Sequence, residues 1–185
     1  KKDEFYTQYE DVEKEMLNCR KSLKGKSILC NCDDPFESAF FHFFAVNFNN
    51  LGLASLTSTC YAESSLAGKE YPLEGGAGAY KAVVTEAPDE TIMRPDGSLD
   101  LESLFSMPGN NLAHLAGDGD FRTDECKALL RDADIVATNP PFSLFREYIN
   151  MLESHKKDFI ILGNMNATTT KEIFPLFRDN KVWYG

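Results

Sequence analysis

Residues 135–142, Ile-Val-Ala-Thr-Asn-Pro-Pro-Phe, pass from an apolar run into two consecutive prolines. Ile135-Val136-Ala137 predicts a buried strand. Proline lacks the N–H that a central strand needs, so the chain must leave the sheet at Asn139. Asn139 and Pro140 each precede a proline and are therefore held extended. The carboxyl end of a strand is where open α/β sheets bind ligands. There, the Asn139 side-chain oxygen and the Pro140 carbonyl can face one point, with the Phe142 ring beside them. Two acceptors and a flat apolar face suit an exocyclic amine on a planar ring. The plainer alternative is a Pro-Pro turn with an incidental Phe. Asn directly before the prolines and Phe directly after make the run more specific than that.

With 185 residues, 43% hydrophobic and 12% aromatic, the chain has the composition of one globular domain with a sizeable core. No apolar run nears the ~20 residues of a membrane span. The first residues, Lys1-Lys2-Asp3-Glu4, have no leader character, and the five cysteines and three histidines lack metal-ligand spacing. A reduced, cytoplasmic setting without metal is the expectation.

Along the chain, Tyr9, Val12, Met16, Cys19 and Leu23 are spaced for one helix face, which Gly25 ends. Thr7 followed by Glu10 matches a capping box. Ser27 to Cys32 predicts a strand. Asp33-Asp34-Pro35 then leads into a Phe-rich helix through about Asn50, with either Asp as its cap. Leu53 to Tyr61 reads as the second strand, its end (Cys60, Tyr61, Glu63) facing a ribose or adenine in a nucleotide-binding plan. Residues 67–111 read as an insertion with a Gly75–Gly78 hairpin turn and a β-rich run from Tyr80 to Thr85. Leu112 to Ala116 resumes the sheet and ends in Gly117-Asp118-Gly119-Asp120-Phe121, where a carboxylate can accept from an adenine amino group and a Phe can cover its ring. The alternative for the acids is an Asp cap on a helix over 123–131. A helix over 143–155, a strand over 158–162, a helix over about 168–177 and a strand opening at Lys181 complete the pattern.

Asn139-Pro140-Pro141-Phe142 resembles the catalytic tetrapeptide of S-adenosylmethionine-dependent amino-methyltransferases. Phe5-Tyr6-Thr7 is similar to the N-terminal cofactor-binding motif of the adenine-specific ones, with Gln8 where that family carries proline. Together with Cys30-Asn31-Cys32-Asp33-Asp34-Pro35 and Gly119-Asp120-Phe121, nearly the whole chain resembles the EcoRI-type adenine-specific (N6) DNA methyltransferases. The resemblance implies an α/β, Rossmann-like methyltransferase fold with a largely parallel sheet and helices on both faces. It implies a cofactor site of Phe5, Tyr6, Thr7, Asn31, Cys32, Asp33, Asp34, Tyr61, Asp120 and Phe121, and a catalytic set of Asn139, Pro140, Pro141 and Phe142. A glycine-poor first loop fits this cofactor, which carries a sulfonium, an ammonium and a ribose but no phosphate, and argues against a dinucleotide.

The implied reaction is methyl transfer to N6 of an adenine flipped from double-stranded DNA, in a site-specific enzyme of the restriction-modification or phage kind. The formal charge of −10 and pI near 4.8 oppose this, because duplex binding needs basic groups that release counterions. Residues 1–185 are therefore expected to be one catalytic domain, with target recognition beyond residue 185 and weak duplex affinity of their own. Two rivals stay open. One is a methyltransferase for another planar amine or amide, in RNA or protein. The other is a non-catalytic binding module with the same fold.

Overall fold

The computed structural model describes residues 7–62, 78–88, 92–95 and 97–185. Helix α1 (Tyr9–Leu23) buries Val12, Met16 and Leu23, as its spacing predicts, with acids in the first turn and bases in the last matching the helix dipole. Its N-cap is Gln8, with no side-chain bond, so the capping-box reading of Thr7 is not met. Strand β1 (Ser27–Cys30) follows. Helix α2 (Ala39–Val46) starts later than Asp33 or Asp34 would place it. Ser38 is its cap and accepts the Phe41 N–H at 2.9 Å, because both acids are engaged elsewhere. Asn47 interrupts the helix by turning its Nδ2 onto the Phe43 carbonyl, and α3 (Phe48–Leu51) ends at Gly52 in the left-handed region.

Strands β2 (Ser55–Cys60), β3 (Tyr80–Val84), β4 (Asn111–His114), β5 (Ile135–Thr138) and β6 (Asp158–Ile161) complete a six-stranded sheet of order β4-β3-β2-β1-β5-β6. The β1–β2, β1–β5 and β5–β6 pairs are parallel, and β3 is antiparallel to both neighbours. Since β4 opposes β3 and β3 opposes β2, β4 runs with β2. Only β3 is reversed. The stretch read as an insertion therefore lends a strand to the middle of one sheet half, together with the short helix α4 (Leu101–Phe105). Of its hairpin turn, Gly75 to Ala77 lie outside the described residues.

Alternation along the strands separates two cores. Ile28, Cys30, Ile135 and Ala137 face the phenylalanines of α2 and the apolar side of α1. Leu29 and Val136 face Leu130 of α5 (Asp124–Asp132) and Tyr148 and Leu152 of α6 (Phe145–Ser154). Helices thus cover both faces, and β1 and β5 are buried on each. Thr123, not an Asp, caps α5, accepting the Cys126 N–H.

Near the end of the chain the expected single helix is divided. A 3₁₀ turn (Met165–Thr169) is followed by α7 (Phe174–Arg178). The hydroxyls of Thr168, Thr169 and Thr170 each donate to the carbonyl three residues back, which competes with continued helix. No strand opens at Lys181. The Lys181 and Val182 N–H groups both donate to the Leu176 carbonyl, and Tyr184 stacks on Phe177, folding the segment back onto α7.

Candidate active site

Because β1 pairs with β2 on one side and β5 on the other, the crevice between the β1 and β5 ends is the point where the strand order reverses. The loop Asn31–Asp34 leaves one strand there and Asn139–Pro141 leaves the other. Hydroxyls join them. Thr138 Oγ1 donates to the Asn31 carbonyl at 2.5 Å and lies 3.4 Å from Asp33 Oδ2. The Ser38 side chain and the Asn139 backbone lie on the same carboxyl group and favour its charged form. From the helix layer, the Tyr148 hydroxyl donates to Asn31 Oδ1. Burial of this phenol, with Cys32, Cys30 and Asp33 nearby, holds it well above its ordinary pKa.

Asp33 keeps some solvent-accessible surface, but its carboxyl end is enclosed by these partners. Burial pushes its pKa up to about 7, against the hydrogen bonds from Ser38, Asn139 and Thr138 that favour the charged form. Asp34 faces the other way. Its carboxylate accepts the Phe36 N–H at 2.9 Å, the Tyr80 hydroxyl at 2.8 Å and the Cys60 thiol at 3.1 Å, bracing the loop against β2 and β3. The Cys32 N–H donates to Thr59 Oγ1, and the Asp33 N–H to the Thr59 carbonyl. These loop donors are turned into the protein, which is the opposite of a phosphate cradle.

The segment carrying Asp120 meets the end of β2. The Ala62 N–H donates to the Asp118 carbonyl at 2.8 Å, and Gly119 lies over the Cys60 carbonyl. Asp120 Oδ1 accepts from the Arg122 N–H and Nε, and Oδ2 from Nη2. The guanidinium holds the carboxyl below its usual range. Three bonds leave a carboxylate room for one more donor. Phe121 is not positioned to cover a ligand ring. It is 3% exposed and packs edge-on against Tyr148 at 5.1 Å.

Of the tetrapeptide, Pro140 is buried, Asn139, Pro141 and Phe142 are half-buried, and the Asn139 side-chain oxygen is shielded from solvent. Phe142 opens a 3₁₀ turn (Phe142–Leu144) that leads into α6. A concavity of about 330 Å³ lies directly after it, lined by Ser143, Leu144, Arg146, Glu147, Asn150 and Glu172. Another of about 280 Å³ lies beyond the first loop, with Pro35, Phe36, Ser38, His42 and Leu99 among its walls. Phe5, Tyr6 and Glu63 fall outside the described residues. Thr7 Oγ1 and Asn31 Nδ2 are buried polar atoms with no hydrogen-bond partner among the described residues.

Thr138, Tyr148, Ser38 and Arg122 were not legible as site residues from the sequence. A signal existed for the first: a hydroxyl inside an apolar strand must find a partner. Tyr148 reads only as one more apolar position on its helix.

The sequence matches, over residues 1–185, the family described as "Adenine-specific methyltransferase EcoRI". It is 43% identical over 185 residues to the type II methyltransferase M.EcoRI of Escherichia coli, covering all of this chain and 52% of that protein. The type II methyltransferases M.MgeORF184P of Mycoplasma genitalium and M.MpnI of Mycoplasma pneumoniae are 35% and 34% identical, each over all of this chain and 48% of its relative. The chain thus spans about half the length of these relatives. No solved structure matches it. With a whole-length family match, a sheet whose order reverses at β1, and Asn-Pro-Pro-Phe at the end of β5, the chain belongs to the EcoRI-type adenine-specific methyltransferase family.

Proposed function

We propose that the chain is the catalytic part of a site-specific DNA methyltransferase that moves a methyl group from S-adenosylmethionine to N6 of an adenine drawn out of double-stranded DNA. The observation that carries this reading is the junction of two loops at the β1/β5 crevice, Asn31–Asp34 for the donor molecule and Asn139–Phe142 for the acceptor. The residues present fit the cofactor. Thr7 Oγ1 and Asn31 Nδ2 are buried polar groups without a partner among the described residues, Asp120 retains acceptor capacity, and the loop amides do not form an anion cradle the molecule would not need. When bound, S-adenosylmethionine supplies a methyl group on an electrophilic sulfonium.

The adenine amine is a weak nucleophile because its lone pair is shared with the ring, and it must first leave the base stack. Asn139 Oδ1 and the Pro140 carbonyl accept its two N–H bonds, which favours a pyramidal nitrogen and stabilises the positive charge developing there. Phe142 offers an apolar face to the extruded base, a contact of ~1–3 kcal/mol by analogy with single-strand binders. The rest is alignment, which two prolines and a buried strand end provide. With a charge of −10, residues 1–185 are not expected to hold duplex by themselves.

Calorimetric titration with S-adenosylmethionine and tritiated-methyl transfer to duplex adenine by the full-length protein test this reading. Asp120→Ala should weaken cofactor binding by about 1–3 kcal/mol. Asn139→Ala should leave it nearly unchanged while methyl transfer falls by orders of magnitude. No cofactor binding at millimolar concentration would return the chain to the binding-module reading. Transfer to RNA or protein in place of DNA would favour the other rival.

A further inference from the structure

At the carboxyl edge of the sheet, the chain leaving β6 runs beside the chain leaving β5. Thr138 is level with Ile161, and the Leu162 N–H donates to the Thr138 carbonyl at 3.2 Å. Asn139 and Leu162 therefore leave the sheet side by side, and Met165 follows shortly after. Gly163 keeps the second exit close to the first. A Cβ there would lie 2.6 Å from Cζ of Phe145, which opens α6 just after the 3₁₀ turn begun by Phe142. The backbone is pinned on both sides of Met165. Asn164 Oδ1 accepts the Asn166 N–H at 2.9 Å, the Thr168 hydroxyl donates to the Met165 carbonyl at 2.6 Å, and Ala167 packs on the Phe145 cluster.

An exposed methionine signifies little alone. Here a pinned backbone presents, beside the tetrapeptide, a side chain that is 79% exposed, the most exposed large apolar one among the described residues. Residues 163–170 carry no charge in a chain of net charge −10. Next to them, Arg146 and Lys171 share one acid, Glu172, and Glu147 is set against Arg122 at 3.6 Å. The backbone of a duplex is therefore not repelled at this edge as it is by an acidic surface. Drawing a base out leaves a gap in the stack, and apolar side chains, methionine among them, fill such gaps. We propose that Met165 is a wedge that enters the stack of double-stranded DNA where the adenine has left for Asn139 and Phe142, and so keeps that base out. The inference rests on the function proposed above and adds to it a residue that touches the duplex rather than the reacting atoms.

The experiment uses the full-length enzyme, whose methylation of plasmid DNA first defines its site. Synthetic duplexes of that site then carry the target adenine paired, the target adenine opposite an abasic position, or 2-aminopurine in its place, which fluoresces when unstacked. Met165→Ala should keep the native denaturation midpoint and cofactor affinity, because the side chain is exposed. It should lose most of the 2-aminopurine signal and slow single-turnover methyl transfer to the paired duplex by roughly 10–100-fold. On the abasic duplex, where less must be broken to extrude the base, its rate should return to within about threefold of native. Met165→Leu should behave as native on both. A native signal and rate in Met165→Ala overturn the wedge. Equal slowing on both duplexes, or a lowered midpoint, makes Met165 a packing residue and refutes it as well. If the native enzyme methylates the plasmid and these results fail, the wedge alone falls. If it transfers no methyl group to DNA, the proposed function falls and the wedge with it.

Discussion

At single residues, the loops around the crevice depend on two left-handed positions. Cys32 has φ 62°, so the loop that lacks glycine still bends where glycine would, with an L residue bearing about 1–2 kcal/mol of strain. Its backbone is pinned by Thr59 on β2, which is how the strain is held. Gly119 has φ 81°, and a Cβ there would lie 2.5 Å from the Cys60 carbonyl oxygen and 3.0 Å from Ala79 Cβ. Both backbones would have to move. Gly119→Ala should therefore destabilise the fold by roughly 2–4 kcal/mol, combining strain and overpacking. Chemical denaturation measures this, with a loss of cofactor affinity expected alongside, because Asp120 follows directly.

At the scale of elements, α6 is tied to β1 by one side-chain bond, Tyr148 to Asn31, buried between sheet and helix. Tyr148→Phe should leave Asn31 Oδ1 without its donor at little change in volume. The expected cost is about 1–3 kcal/mol of stability, read as a lowered denaturation midpoint. On the opposite face, α2 is apolar nearly all round, and Phe41 and Phe44 are fully buried. Phe44→Ala should cost about 3–5 kcal/mol. Thermal melts of the two variants should rank Phe44→Ala well below Tyr148→Phe, since a cavity outweighs a single net hydrogen bond.

Over the whole molecule, charge and protonation have opposite consequences. With 29 acidic and 19 basic side chains the chain repels itself, so its melting temperature should rise with added salt at neutral pH. Protonation of Asp33 acts separately. Its folded pKa of about 7 lies above the ordinary 3.8, so the folded state binds the proton more tightly. The stability it contributes is fully present below the unfolded value and is lost as pH rises through about 7. Asp120 and Asp134 have lowered values and act in the reverse sense, losing their contribution as pH falls. The difference between the native chain and Asp33→Asn isolates the first effect. Urea midpoints should favour the native chain more at about pH 5 than at about pH 8.

What the sequence determined by itself was local. Apolar runs marked β1, β5 and β6, helical spacing marked α1 and α6, and two prolines after an apolar strand placed the tetrapeptide at a strand end. Each of these depends on neighbours within a few residues. The tertiary structure decided what depends on distant partners. The reversal of β3, a strand read as part of an insertion, comes from its pairing with β2 and β4 on either side. Phe121 enters the core because Tyr148, far along the chain, meets its ring there. Asp33 and Asp34 are adjacent and chemically identical, so the sequence could not separate them. Only the fold turns one to Thr138 at the end of β5 and the other to Tyr80 and Cys60, because successive loop residues face different strands.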